Sequence, residues 1–181
     1  FELTIENNSN EMTNAHTMSI RSDYLTADLD GLFLYNTLPT TVLQLLHAHI
    51  PSVIEQPVCT STNNQVEMHA KIRNFAPILQ VLELGMDLPD AFDIKGHIYE
   101  DKQELELQTC IPYIRTNGTN MENIKIALDN HNEQLELSLS VLNHLPKDNP
   151  TAAKLGDIKA GIKLSAKNDA LDLLVNLENT D

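Results

Sequence analysis

The chain has no tryptophan, few other aromatic residues and few basic residues, and each shortage excludes a class of function. Phe, Trp and Tyr together make up 4% of the 181 residues, so the stacking platforms that bind sugars or unpaired bases are largely missing. Only 12 residues are Lys or Arg against 26 Asp and Glu, which gives a formal net charge of −14. Such a chain repels phosphate backbones at long range, and its few basic residues form no stripe. We therefore expect no nucleic-acid partner.

The sequence also lacks a membrane-spanning run, a signal peptide and a cysteine framework. No stretch approaches the roughly 18 consecutive apolar residues of a transmembrane helix. The chain opens on Phe1, without an initiator Met or a basic leader, which favours a mature or excised fragment of a longer protein. Cys59 and Cys110 have no CxxC spacing and no nearby pair of histidines, so we expect two free, partly buried thiols, no metal and no cofactor.

No catalytic pattern is present either. His47 and His49 lie two residues apart on a predicted helix and point to different faces, while His69 and His97 fall on the polar faces of separate predicted strands. The chain has no HExxH motif, no HxH pair on a strand, no GxSxG, no GxGxxG and no P-loop, so neither zinc geometry nor a nucleophile is indicated. We expect surface histidines, no catalytic residues and no enzymatic activity.

What the chain has in abundance is alternation of apolar and polar residues. The clearest case is Asn132–His144, and the pattern returns in Gln103–Thr109, Glu122–Asp129, Lys159–Ala166 and Leu171–Leu177. Successive side chains of a strand point to opposite faces, so each segment predicts a strand with one apolar and one polar face. The predicted fold is mainly β with two short helices: an elongated antiparallel sheet, shaped like a taco, with amphipathic helices packed on the apolar face of its groove.

The apolar positions of these strands are the candidate lining of that groove. They are Leu105, Leu107, Ile124, Ile126, Leu128, Leu135, Leu137, Leu139, Val141, Ile162, Leu164, Leu171, Leu173 and Val175. Earlier strands are predicted at Phe1–Glu6, Met12–Arg21, Asp23–Tyr35 and Asn64–Arg73, with an Asn-rich turn at Asn7–Asn10. The residues that alternate with the apolar ones point to the opposite face and are charged or small and polar. This pattern predicts a sheet with only one solvated face.

The spacing becomes helical in two places. The first helix is predicted over Leu38–Ile50, with Pro39 in its first turn and Pro51 beyond its end, and the second over Phe75–Leu84. The helix residues expected to cover the groove are Val42, Leu45, Leu46, Ile78, Leu79, Val81 and Leu82. The two strand-then-helix units resemble a degenerate repeat of 38 residues. We therefore divide the single fragment into a strand–helix half, 1–90, and a β-meander half, 91–181.

In order along the chain, several segments resemble interior parts of TamB-like proteins, which belong to the wider AsmA-like group. The resemblance covers roughly Ser22–Val141 and is nearest to the Bacteroidetes branch. The segments that carry it are DGLFLY at Asp30–Tyr35, the helix Leu38–Ile50 with Pro51, NFAPILQVLELGMDLP, FDIKGHI, QELELQT and IPYIRTNGTNMENIKIALDN. They share with that family a strand ending in Gly-x-Phe/Tyr, a short helix, a proline and repeated strands. The chain departs from the family in its two helices amid the strands and in having no membrane anchor or barrel-partner region that we identify.

The resemblance implies a translocation and assembly module protein of the cell envelope. Such proteins are anchored in the inner membrane, reach across the periplasm and enclose an aliphatic groove in a taco-shaped sheet. The expected function is phospholipid transport and outer-membrane biogenesis. The expected partners are phospholipid acyl chains and, through regions outside this fragment, an outer-membrane assembly barrel protein.

A closed β-sandwich, serving as a structural or interaction module of a cell-surface protein, is the alternative reading. On pattern alone an ordinary sandwich core explains the alternation most simply. Two observations favour an open array: the apolar faces have almost no large aromatic residues to fill a core, and the strand series continues nearly to the last residue. A small secreted hydrolase with an unrecognised site is a third, weaker alternative.

Overall fold

The computed structural model describes residues 3–10, 15–58, 63–74, 76–81, 85–116, 119–130, 133–144 and 157–179. They form one large, open antiparallel sheet of 11 strands. The strands are β1 (Leu3–Asn10), β2 (Ala15–Ser22), β3 (Leu25–Leu32), β4 (Gln65–Arg73), β5 (Met86–Asp87), β6 (Ala91–Tyr99), β7 (Glu104–Thr116), β8 (Thr119–Asp129), β9 (Leu135–His144), β10 (Ile158–Lys167) and β11 (Ala170–Asn179). The helices are α1 (Leu38–His47) and α2 (Ala76–Val81). The prediction of a mainly β protein with an antiparallel sheet is confirmed.

The sheet is a meander in which strands follow their sequence order. The path runs β1-β2-β3-β4-β6-β7-β8-β9-β10-β11, and the two-residue β5 pairs beside it with the end of β7. Among the described residues, β1 and β11 are the outer strands of the sheet. β4 pairs with β6 from Gln65 to Arg73, which joins the halves 1–90 and 91–181 in one sheet.

The register keeps apolar residues opposite apolar residues from strand to strand. Leu107, Leu128, Leu137, Leu164 and Leu173 are successive partners across β7 to β11. Because every second side chain points to the same side, this row defines what we call the apolar face. The other side, which carries Lys and Glu at the intervening positions, is the polar face.

Pro112 in β7 lies in a stretch of the strand where no hydrogen bond to β6 is made. β6 pairs with β7 only from Glu104 to Thr109, so Pro112 falls on the part of β7 that β6 does not reach. Proline cannot donate to a ladder and is confined to such unpaired stretches. β7 is otherwise an interior strand, paired with β8 along most of its length, so only this local stretch lacks a β6 partner.

The predicted turn at Asn7–Asn10 is wrong, because these residues belong to β1 and pair with β2 through to Asn10. β1 is an outer strand whose residues from Leu3 to Ser9 are exposed. Asparagine side chains on such a strand remain in water, so their usual preference for turns is offset by the backbone hydrogen bonds to β2. The predicted strand residues Phe1, Glu2 and Met12–Asn14 lie outside the described part of the chain.

Two short helices packed on the apolar face were predicted; the helix count differs from this prediction, and the packing of the helices on that face stays a prediction. α1 spans ten residues with a proline at its start, while α2 has only six. Among the described residues α1 is the one helix of substantial length. α1 follows β3 and α2 follows β4. Because β3 and β4 are antiparallel neighbours, the two helices begin at opposite ends of these strands. They therefore do not cover one stretch of the apolar face together.

The helix residues expected to cover the groove have mixed positions. In α1 Leu45 is buried, and Val42 and Leu46 are half-buried. In α2 Leu79 is buried. The side chains of Ile78 and Val81, and all of Leu82, lie outside the described residues. No helix in the described part of the chain is long and apolar enough to cross a membrane.

Gly31 allows β3 to approach β4 just before the chain leaves for α1. Its φ is +150°, and a Cβ atom there would stand 2.0 Å from the backbone oxygen of Gln65. Only glycine fits, since β4 itself would have to move to admit any side chain.

We predict that Gly31→Ala lowers the free energy of unfolding by on the order of 3 kcal/mol, through backbone strain and overpacking. Gly161→Ala is the matched control, because a Cβ at Gly161 would meet nothing closer than 4.0 Å. That control is expected to stay within about 1 kcal/mol of the unsubstituted chain. Urea denaturation measures both, and equal midpoints for the two variants would refute the close approach.

Candidate functional site

The register places all fourteen predicted groove residues on the apolar face. In β7 and β8, Leu107 pairs directly with Leu128. The other groove residues of these two strands lie two or four residues along the same strand and so point to the same face. The same holds from β9 to β10, where Leu139 pairs with Ile162, and from β10 to β11, where Ile162 pairs with Val175. The residues predicted from alternation therefore form one continuous surface, whose role remains a prediction.

The apolar face is buried near α1 and open toward β11. Leu105 and Leu135 are buried, and both stand at the strand ends near α1. Exposure rises along the face: Leu137 and Ile162 are 41% exposed, Leu171 55%, Leu173 67%, Val175 53% and Leu177 71%. Soluble proteins rarely expose so many neighbouring aliphatic side chains without a binding role. Leu177, which we did not single out from the sequence, belongs to the same surface.

The polar face is lined by ion pairs in water. Arg21 approaches Asp28 at 2.5 Å and Lys163 approaches Glu136 at 2.7 Å. The hydrogen bond from Arg21, helped by one from Ser19, lowers the pKa of Asp28. Exposed pairs of this kind contribute little to stability. They do mark this side as solvated, in contrast to the aliphatic side.

Two of the histidines lie on the polar face as predicted. His69 approaches Asp93 at 3.1 Å and His97 approaches Glu106 at 3.8 Å. In the described ranges no group of three or more His, Cys, Asp or Glu residues is placed to hold a metal ion. We therefore identify no metal centre among them.

Cys110 is free and exposed, so its predicted partial burial is wrong. It pairs with Lys125 of β8 and falls on the polar face, where alternation from Leu107 and Thr109 puts it. Cys59 lies outside the described residues.

A buried polar network joins α1 to the sheet. Asn64 Nδ2 donates to Thr41 Oγ1 (2.8 Å), and Thr41 Oγ1 donates to Glu100 Oε2 (3.3 Å). The Asn64 backbone N–H also donates to Glu100 Oε2 (2.8 Å), while Asn64 Oδ1 accepts from the N–H of Leu34 (2.9 Å). Thr41, Asn64 and Glu100 are all buried. We call these three residues the rim network, because they lie at the rim formed by the end of β3, the start of β4 and the end of β6.

The chain after α1 is tied to the far side of the same rim. The N–H of Asp169, in the turn between β10 and β11, donates to the backbone oxygen of His49 (3.0 Å). Ser52 donates to Asp169 Oδ1 through its N–H (3.1 Å) and its hydroxyl (2.7 Å). These hydrogen bonds lower the pKa of Asp169. The segment from Thr41 to Ser52 thus runs along the strand ends from β4 to β10.

His49 is buried, so the prediction that the histidines lie at the surface is wrong for this one. Its burial lowers its pKa from the ordinary value, although a hydrogen bond with the backbone of Glu133 works in the other direction. A neutral imidazole avoids the cost of desolvating a charge, which is why burial favours it.

Asn130 holds a second pair of strand ends together. Its Oδ1 accepts from the N–H of Leu105 (2.6 Å) and its Nδ2 donates to the carbonyl of Gln103 (2.9 Å). A cleft of about 610 Å³ beside it is lined by Leu45, His49 and several polar side chains. Its polar lining distinguishes this cleft from the aliphatic face.

The sequence reading missed Thr41, Asn64, Glu100 and Asn130. They carry no motif, and their partners lie 23 to 59 residues away along the chain. The one local signal was the position of Asn64 and Asn130 at the borders of predicted strands, where an Asn side chain often satisfies the backbone.

No family model matches this chain, and no curated protein or solved structure matches it. A functional proposal therefore depends on the arrangement of the residues and on the chemistry of the apolar face.

We predict that Asn64→Ala destabilises the protein by about 3 kcal/mol, because it removes the buried acceptor of the Leu34 N–H and the amide that donates to Thr41 Oγ1. Asn36→Ala changes an exposed asparagine nearby and is expected to have little effect. Chemical denaturation gives the stability, and hydrogen exchange of Leu38–His47 shows whether α1 loosens. Unchanged exchange in α1 would mean that the rim network does not hold the helix.

A pH effect is expected from His49. Folded His49 binds a proton less readily than unfolded His49, whose pKa is near 6.5. Protonation therefore favours the unfolded chain, and stability falls as the pH drops below about 6.5. Unfolding by urea at pH 7.5 and 5.5 is expected to show a smaller loss for His49→Gln than for the unsubstituted chain. His69→Gln, at an exposed histidine, is the control. If its loss of stability between the two pH values were as small as that of His49→Gln, the pH effect would not come from His49.

Proposed function

We propose that the apolar face is a groove that carries phospholipid acyl chains, in the periplasmic segment of an envelope protein of the TamB-like type. The observation that carries the proposal is the open aliphatic surface from β7 to β11. Its side chains are Leu, Ile and Val in one register, and no second sheet faces them within the described ranges.

The chemistry of this surface suits a chain of methylene groups. An acyl chain has no polar group to recognise, so a binding surface needs only continuous aliphatic contact, worth roughly 25 cal/mol for each Å² covered. The leucine row from Leu107 to Leu173 crosses four strand spacings, or about 19 Å. Along this row a chain meets no charged side chain, while the charges of the polar face stay on the other side of the sheet.

α1 and the residues after it lie along one rim of the sheet. Thr41 bonds to Glu100 at the end of β6, and His49 bonds to Asp169 in the turn after β10. In this arrangement α1 closes part of one rim and leaves the β11 side open.

A closed β-sandwich fits the arrangement less well. It requires a second sheet whose side chains interdigitate with the first, and the described strands all belong to one sheet. The half-buried and exposed leucines of β9 to β11 also differ from the sealed core that a sandwich requires.

The place of this activity in the cell rests on the resemblance over Ser22–Val141. The proposed parent protein is anchored in the inner membrane, spans the periplasm and takes part in outer-membrane biogenesis. Contacts with an outer-membrane assembly barrel protein would involve other regions of that parent. The chain itself would supply a stretch of the lipid path and no catalysis.

A photo-crosslinking experiment tests the groove directly. We expect a benzophenone side chain at Leu137, on the apolar face, to capture phospholipid when the purified chain is illuminated with phosphatidylethanolamine vesicles. The same group at Ser138, exposed on the polar face, is the matched control and is expected to capture several-fold less. Mass spectrometry of the adducts measures both, and equal capture at the two positions would contradict a lipid-binding face.

A further inference from the structure

The cleft of about 610 Å³ beside Asn130 lies at the rim, between the end of α1 and the turns that join β6 to β7, β8 to β9 and β10 to β11. We call it the rim cleft. Leu45 and His49 line it on the α1 side, and Glu104, Asn130 and Glu133 line it on the strand side. Its volume lies within the roughly 300 to 1,000 Å³ of small-molecule sites. The rim cleft is therefore large enough for a small ligand.

Two polar side chains that line the rim cleft are more than nine-tenths buried. His49 is 8% exposed and Asn130 is 4% exposed. Asn130 is held at both ends of its amide, since Oδ1 accepts from the N–H of Leu105 and Nδ2 donates to the carbonyl of Gln103. The fold thus fixes these polar groups at the cleft before any ligand arrives, which lowers the entropy cost of binding.

His49 presents a hydrogen-bond acceptor to the rim cleft. Its hydrogen bond with the Glu133 backbone raises the pKa of His49, as donation from a ring N–H to a carbonyl oxygen does. In the neutral imidazole, which burial favours, the second ring nitrogen carries a lone pair. Within the described ranges neither ring nitrogen of His49 is both buried and without a partner. The second nitrogen is therefore accessible, and the rim cleft is the space that His49 lines.

Glu104 presents a carboxylate to the same space. It is half-buried, and its side chain forms no ion pair or hydrogen bond with the described part of the chain. The nearby lysines have other partners: Lys102 Nζ lies 4.3 Å from the centroid of the Tyr99 ring, and Lys167 Nζ lies 3.4 Å from Glu133 Oε2. The rim cleft therefore has an uncompensated negative charge at Glu104.

We propose that the rim cleft binds a primary ammonium group, with Glu104 supplying the opposite charge and neutral His49 a hydrogen-bond acceptor. An ammonium group has three N–H donors and no acceptor, so it matches a carboxylate and a ring-nitrogen lone pair at once. Hydrogen bonds from a cation to a carboxylate are also stronger than neutral ones. An anion fits poorly, because two carboxylates line the cleft against one lysine and the whole chain has a net charge of −14.

Such an ammonium group has two sources, the ethanolamine headgroup of a phospholipid and a small soluble amine. The rim cleft adjoins the buried end of the apolar face, since Leu45 lines the cleft and the buried Leu105 bonds to Asn130. A lipid source would place the headgroup at this rim, and only this source rests on the proposed function. Binding of a soluble amine needs no acyl-chain surface.

The test titrates the whole chain at pH 7.5 with ethanolamine and, separately, with choline, its trimethylated form, which has no N–H donor. Nuclear magnetic resonance of the His49 ring and of the Glu104 amide follows binding. Saturable shifts are expected for ethanolamine, with a Kd on the order of 1 mM for so small a ligand. Choline is expected to bind at least about tenfold more weakly, because it cannot donate to Glu104 or His49. Equal binding of the two would overturn the proposal.

Glu104→Gln keeps the shape of the side chain and removes its charge, so it is expected to weaken ethanolamine binding by about tenfold or more. Glu106→Gln is the matched control, because Glu106 lies two residues along β7 on the same face and outside the lining of the rim cleft. It should bind ethanolamine like the unsubstituted chain. Equal weakening in both variants, or in neither, would overturn the assignment to Glu104, as would an unshifted His49 ring.

Short-chain phospholipids distinguish the two sources. Dihexanoyl phosphatidylethanolamine is expected to shift the His49 ring at a concentration at least about tenfold below that of ethanolamine, because its chains add aliphatic contact. Dihexanoyl phosphatidylcholine is the control and should leave the His49 ring unshifted. If the ethanolamine lipid bound no more tightly than ethanolamine itself, the ammonium site would stand and its source would be a soluble amine. That outcome would leave the photo-crosslinking test of the groove at Leu137 independent.

Discussion

The structure depends on an antiparallel register that holds without a shift along the leucine row from β7 to β11. Side chains alternate with a period of two along every strand, so a slip of one residue in any pair would turn a leucine row into a row of charges. The partners from Leu107 to Leu173 show that the alignment survives four successive pairings. An irregularity does occur between β8 and β9, between Glu122 and Lys125, but it lies beyond Ile126 and leaves the leucine row intact. The polar and apolar faces are consequences of this alignment.

The strands of the described residues form one sheet and no second one, so other interactions have to stabilise it. The backbone ladders provide regular hydrogen bonding, and the rim network adds a buried polar junction among Thr41, Asn64 and Glu100. Buried networks of this kind are stabilising only when every group has a partner. Together with the bonds between His49 and Asp169, the network concentrates order at one end of the strands. The apolar face toward β11, away from this network, has exposed aliphatic side chains.

The aliphatic side chains of β11 on the apolar face are in contact with water. Leu171, Leu173, Val175 and Leu177 are all more than half exposed, and that contact is unfavourable by roughly 25 cal/mol per Å². Under the proposed function, acyl chains on the apolar face would remove part of it. They would bind the folded chain in preference to the unfolded one and would raise its apparent stability.

The sequence by itself determined the strands from β7 onward, the division into two faces and the start of α1 next to Pro39, because these follow from periodicity and from the fixed φ of proline. Only the tertiary structure decided where α1 lies, that Asn7–Asn10 are extended and that His49 is buried. The deciding contacts join residues far apart in the chain, such as Ser52 and Asp169, separated by 117 positions. No local period records such a pair, since the two side chains meet only after the sheet has brought its strand ends to one rim.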